Sequence, residues 1–279
     1  MHDRLRIMKI YISADMEGIT GVTNPDFLLP GEPNYEYGRR LMEHDVNAVI
    51  EAALEGGATE IIVADSHSSG NNLRLDHLHP AATLISGIPR DNYMMSGLTS
   101  DFAAVFFVGY HARHGMPGVL SHAYWFKNIT VNGVEVGEIG FNAIYAGLLG
   151  VPVALVTGDD QASEETKRII PDAVTGIVKH SLSRTSAICL SLQQSRKELT
   201  ARTKEAMGKI DQLAPFQVKL PVEVNIEFMH SGQAEMASCV PGARRLPNGT
   251  IIAYEAEDAI TYYRTMEIMA SLANTTRFF

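Results

Sequence analysis

Short apolar runs alternate with longer amphipathic stretches along most of the chain. IMKIYISAD is a short apolar run fit for a buried strand, and the segment from Tyr35 to Leu54 then repeats apolar residues at helical spacing. Met42, Val46, Val49, Ile50 and Ala53 follow steps of three and four and would cover one side of a sheet. A stripe begun at Leu41 runs into the charged Asp45, so the face centred on Val46 and Val49 is assigned to the core. Gly56 and Gly57 end the helix, and EIIVAD opens the next strand. AAVFFVG and PVALVTG are continuous apolar runs, the pattern of strands buried on both faces. FNAIYAGLLG, between them, and ASEETKRII, after them, read as helices, the second with an acidic start and a basic finish that suit its ends. Strands and helices in alternation through about Val178 predict an α/β fold, a three-layer core with a mainly parallel sheet.

The character then changes. Ser186 to Ile210 reads as mainly helical. VEVNIEF alternates apolar Val222, Val224, Ile226 and Phe228 with polar Glu223, Asn225 and Glu227, the signature of a strand wet on one side in an antiparallel sheet. GTIIAYEA is a second such strand and AITYYRTMEIMASLA a closing helix. The expected division is an α/β core over 1–180 and a smaller C-terminal α+β portion over 181–279, either separate or integral to the same domain.

Charge narrows the partners. The formal net charge of -9 opposes indiscriminate binding to nucleic acid or to an anionic membrane surface. Apolar residues at 46% exclude a disordered chain. The start lacks an export-signal pattern, and no uninterrupted apolar run reaches the ~18 residues of a membrane-spanning helix. Cys189 and Cys239 permit at most one disulfide and form no CxxC pair, so the expected setting is reducing and cytoplasmic.

Chemistry concentrates where the predicted strands end. In SADMEG, Asp15 and Glu17 are i and i+2, on one side of an extended backbone with Cα atoms ~6–7 Å apart. Crowded carboxylates need a cation, a proton or a basic partner; alone, the motif also fits a solvated turn or a helix cap. Asp65, Ser66 and His67 follow the second strand. Adjacent side chains diverge, so they are no protease triad, and no GxSxG surrounds the serine. His67 fits either a metal ligand or a polar loop residue. GYHARHGMPGVLSHAYWF brings His111, His114 and His122, of which no partner motif singles out His114. Glu138 precedes the short helix, as a further metal group or a solvated helix start. The mixed O/N set of Asp15, Glu17, His67, His111 and Glu138 suits Zn²⁺ or a related divalent ion, not a calcium loop. GDDQ at Gly158–Gln161 fits a substrate contact or an N-cap, and Met94, Met95, Trp125 and Phe126 fit either a specificity surface or packing. Phosphate-loop, dinucleotide and HExxH motifs are absent.

The order and spacing of ADMEGITG, VADSHSSGNNL, LISG, FVGYHAR, MPGVLSHAYWF, GEIGFNA, VTGDDQ and IEFMHSGQAEMA resemble the M55 family of D-aminopeptidases over nearly the whole chain. The resemblance implies a zinc-dependent homodecamer that removes N-terminal D-amino acids from short peptides such as D-Ala-D-Ala. It implies two Zn²⁺ per subunit held by Asp15, Glu17, His67, His111 and Glu138, with Asp15 bridging, and His122 as the catalytic histidine, acting as acid–base group or nucleophile. The residues alone leave open an L-peptide aminopeptidase or amidohydrolase, and a noncatalytic binding or assembly protein on the same fold.

Overall fold

The apolar runs become the interior of a sheet in a computed structural model that describes residues 7–276. Residues 1–6, part of the stretch read as lacking an export signal, lie outside the described residues. The first strands are β1 (Lys9–Ala14), β2 (Glu60–Asp65), β3 (Ala82–Ile85), β4 (Ala104–Tyr110), β5 (Asn128–Val131) and β6 (Val134–Val136). They are followed by β7 (Val153–Asp159), β8 (Val174–Ser183), β9 (Ser186–Cys189), β10 (Val222–Glu227), β11 (Arg244–Arg245) and β12 (Ile251–Ala256). The helices are α1 (Tyr35–Glu55), α2 (Glu138–Leu148), α3 (Asp160–Ile169), α4 (Leu192–Lys209), α5 (Ser231–Ala237) and α6 (Ala259–Ala273).

One sheet runs β3-β2-β1-β4-β7-β8-β9, parallel throughout except for the β8–β9 pair. Alternation along β1 sends Ile10 and Ile12 to one face and Tyr11 to the other. On the first face they meet Met42, Val46 and Val49 of α1 and Leu199 and Met207 of α4. The opposite face packs against α2, α6 and a second, antiparallel sheet of order β11-β12-β10-β5-β6. This is the expected mainly parallel α/β core with a smaller α+β portion. The chain crosses between the two sheets: residues 128–136 supply β5 and β6 to the second, and residues 186–209 supply β9 and α4 to the first.

Two local expectations are corrected. The start of the segment expected to be helical from Ser186 is instead strand β9, because it pairs antiparallel with β8 from Lys179↔Cys189 to Ser183↔Ser186. The helix begins only after Ser191, which caps it in a reciprocal box with Gln194. Asp45 is also not a solvent boundary on α1. Both it and Leu41 are buried, and the Asp45 carboxylate accepts hydrogen bonds from the Thr20 N–H at 2.8 Å and from the Thr20 hydroxyl. A charged residue counts as polar in a periodicity argument, but a polar loop docked on the helix lets it face inward. Among the described residues no helix is long and apolar enough to cross a membrane.

Candidate metal centre

Strand order reverses between β1 and β4: the chain winds outward through β2 and β3 on one side and through β4, β7 and β8 on the other. Carboxyl ends of parallel strands diverge at such a switch point and leave a crevice. Asp15 and Glu17 follow β1, His67 lies two residues past β2, and His111 comes directly after β4. Glu138 is the first residue of α2. The close approach depends on glycine: the Gly18 N–H donates to Gly109 O at 2.7 Å, and a Cβ on Gly18 would lie 1.9 Å from Tyr110 O.

All five residues expected to hold metal converge, and His122 joins them. His67 Nδ1 is 3.2 Å from Asp15 Oδ1 and 3.0 Å from Glu17 Oε2. His111 Nε2 is 3.4 Å from Asp15 Oδ2 and 3.5 Å from Glu138 Oε2. His122 Nε2 stands 3.9 Å from both Glu17 Oε1 and Glu138 Oε1, with its ring stacked on His111 at a centroid distance of 4.1 Å. Each imidazole has its other nitrogen against a backbone carbonyl: His67 Nε2 on Leu28 O at 2.9 Å, His111 Nδ1 on Ala112 O at 3.0 Å, His122 Nδ1 on Leu120 O at 2.8 Å. A carbonyl only accepts, so those nitrogens carry protons, and the opposite nitrogens face the carboxylates, where a bound cation would meet their lone pairs.

That arrangement fits a cation. Asp15 Oδ2, Glu17 Oε2 and His111 Nε2 are buried without a hydrogen-bond partner; the His67–Glu17 approach is close but not aligned as one. Orphaned buried acceptors pointing at one another are costly unless a positive charge sits between them. Two overlapping donor groups are compact enough to hold an ion, Asp15 with Glu17 and His111, and His111 with His122 and Glu138. Among the protein groups alone, burial pushes Asp15 up to about 7, with the Glu17 charge adding to it. Burial also opposes the ionised forms of Glu17 and Glu138, yet the neighbouring imidazoles outweigh it and hold both below the ordinary range. His111 is raised to about 10 because Glu138 and Asp15 overcome the burial that would lower it. Burial and the adjacent His111 depress His122, which favours its neutral form.

Other residues that the sequence raised fall outside the centre. His114 is exposed. The Asp65 carboxylate accepts from the Asn72 N–H and side-chain amide and from the Leu73 N–H, bracing the turn that carries His67. Asp159 of GDDQ caps α3 through the Ala162 N–H, and Met94, Met95 and Phe126 are core. Trp125 does reach the cavity, half exposed. This cavity of about 240 Å³ is also lined by Leu28, Leu29, Tyr93 and Tyr124. No sequence signal marked the two tyrosines. Tyr124 matters twice, since its N–H donates to Glu138 Oε1 at 2.6 Å and its φ of 49° is left-handed, as is that of Leu120 at 52°. Strained backbone thus brackets His122 on both sides.

The family model for peptidase M55, D-aminopeptidase, matches residues 8–268. The chain belongs to the M55 family. Within that family, a D-aminopeptidase of Bacillus subtilis (strain 168) is 40% identical over 273 residues, covering 97% of this chain and all of the relative. A solved structure described as a zinc-dependent D-aminopeptidase, DppA from Bacillus subtilis, a self-compartmentalizing protease, superposes with a TM-score of 0.95 at 40% identity. That match covers 98% of this chain and 100% of the other. The M55 fold therefore extends through both sheets.

Proposed function

We propose that this chain is a zinc-dependent aminopeptidase that hydrolyses the N-terminal peptide bond of short D-amino-acid-containing peptides such as D-Ala-D-Ala. One observation carries the reading: imidazoles locked by backbone carbonyls turn their other nitrogens toward buried, partly unpartnered carboxylates at the mouth of the sheet. M55 membership and the descriptions of the Bacillus relatives support zinc and D-chirality. Asp15, Glu17, His67, His111 and Glu138 would hold two zinc ions, with Asp15 between them, since its two oxygens face different imidazoles.

Zinc in such a site polarises the scissile carbonyl and lowers the pKa of the attacking water. The remaining work falls to the protein. His122, kept neutral by burial and by His111, accepts a proton at Nε2 from that water and delivers it to the leaving amine. The Leu120 carbonyl holds its ring by the Nδ1 proton, so Nε2 stays directed at the cavity. Leu28, Leu29 and Trp125 offer apolar surface beside these groups, against which a small first side chain of the peptide would lie.

The test is turnover of D-Ala-D-Ala, D-Ala-Gly, L-Ala-L-Ala and their N-acetylated forms, before and after exhaustive chelation. The expected result is cleavage of the free D-peptides, abolished by chelation and restored by zinc. Preference for the L-peptide, cleavage of acetylated substrates, or chelator-insensitive turnover overturns the corresponding part. The same reading takes the chain as a cytoplasmic homodecamer. Two exposed, unpaired cysteines suit a reducing setting, and the self-compartmentalizing description of the Bacillus structure supports closed self-association.

A further inference from the structure

Lys179, in the middle of β8, is fully buried, and no step of the proposed reaction uses it. An ammonium has three donors. All three are taken: Lys179 Nζ donates to Glu17 O at 2.5 Å, Ile19 O at 2.9 Å and Val22 O at 2.5 Å. Carbonyls 17, 19 and 22 therefore turn toward one point, a curl that neither helix nor strand hydrogen bonding supplies. The same segment is also held by Asp45, which accepts from the Thr20 N–H and hydroxyl. Glu17, whose side chain belongs to the metal centre, thus has its own carbonyl clamped 162 residues away in sequence.

Burying an ammonium costs far more than burying a methionine of similar length. Simple filling of the space would be met by the apolar residue. What the cation adds is a fixed positive centre around which three carbonyls organise. The strand and the turn after it also brace the His122 segment: the Ser181 hydroxyl donates to Pro117 O at 2.7 Å, and Arg184 O, just past β8, accepts from the Leu120 N–H at 2.8 Å.

We propose that Lys179 is a positioning residue of the metal centre, a built-in cation that curls residues 17–22 so that the Glu17 carboxylate is aimed at the metal. The inference rests on Glu17 being a metal ligand. Groups that orient ligands typically change metal affinity by ~10–100-fold when removed. A residue that merely supports the fold changes stability without changing affinity.

The experiment compares full-length wild type, Lys179→Met, Lys179→Gln and Lys179→Arg in two measurements. One is zinc retention against a chromogenic chelator; the other is the melting temperature of zinc-loaded and stripped protein. Lys179→Met is expected to hold zinc ~10–100-fold more weakly and to show a smaller zinc-induced rise in Tm, because only binding to the folded state contributes to that rise. Lys179→Arg, which keeps the cation and donors, is expected to recover much of the loss. Lys179→Gln, with two donors and no charge, falls between and serves if the methionine variant does not fold. Equal lowering of loaded and stripped Tm with unchanged chelator competition overturns the inference while leaving the metal reading intact. A wild-type chain that takes up no zinc overturns both.

Discussion

Replacing Gly18 by alanine probes the contact that lets the first ligand segment sit on the end of β4. The added Cβ would lie 1.9 Å from Tyr110 O, 2.6 Å from Gly109 C and 2.7 Å from Gly109 O, all backbone, whereas ordinary contact begins at 3.4 Å. No side chain can swing aside, so the segment must withdraw by about 1.5 Å. Withdrawal breaks the buried Gly18 N–H to Gly109 O hydrogen bond, whose loss leaves two buried polar groups unmet and costs about 1–3 kcal/mol. It also carries Glu17, one residue earlier, away from His67 and His111. A displacement of ~1 Å at a catalytic constellation lowers rate by on the order of 10²-fold. Gly18→Ala is therefore expected to melt several degrees lower, to bind zinc more weakly and to lose at least ~10²-fold in kcat/KM. Thermal denaturation, elemental analysis and steady-state rates on one preparation measure all three. Full zinc occupancy with a near-normal rate would refute the reasoning, because the close approach would then not hold the ligand in place.

His122→Ala is expected to keep its zinc and its assembly but lose ~10²-fold or more in kcat; near-normal kcat removes it from catalysis, and lost zinc makes it a ligand, as its grouping with His111 and Glu138 permits. Burial raises Glu267 from 4.5 to about 7. Between those values the folded chain holds a proton that the unfolded chain has released, so stability falls as pH rises through that window. Glu267→Gln carries no such proton and should flatten the Tm–pH curve there; an unchanged slope counts against it. Light scattering over a concentration series should find a species near ten times 30.5 kDa, and a stable monomer rejects the decamer.

The site was legible because parallel strands place chemistry at their ends. Asp15, Glu17, His67 and His111 each follow an apolar run, so periodicity located the strands and the strands located the crevice. Glu138 was legible as a helix start. Spacing could not place His122 beside His111, because their stacking depends on a loop with left-handed residues at Leu120 and Tyr124, positions where glycine would have been the signal. Asp45 was misplaced and Lys179 carried no signal for a shared reason. A charged residue reads as surface, and its inward turn is decided by backbone groups of a distant loop, Thr20 for one and three carbonyls for the other. β9 was hidden because four residues are too few to distinguish a strand from the first turn of the adjoining helix.

The carbonyl of Leu28 gives the cavity wall a second office. It receives the Nε2 proton of His67, while Leu28 and Leu29 line the space the substrate must enter. His111 and His122 lean on carbonyls one and two residues away in their own chain segment, but His67 leans on one 39 residues distant. Substrate breadth and metal retention are therefore properties of one piece of chain. Remodelling residues 25–30 to admit a bulkier first residue moves the support of His67 as well, so widened specificity in this scaffold should come with faster zinc loss unless another acceptor is built for that imidazole.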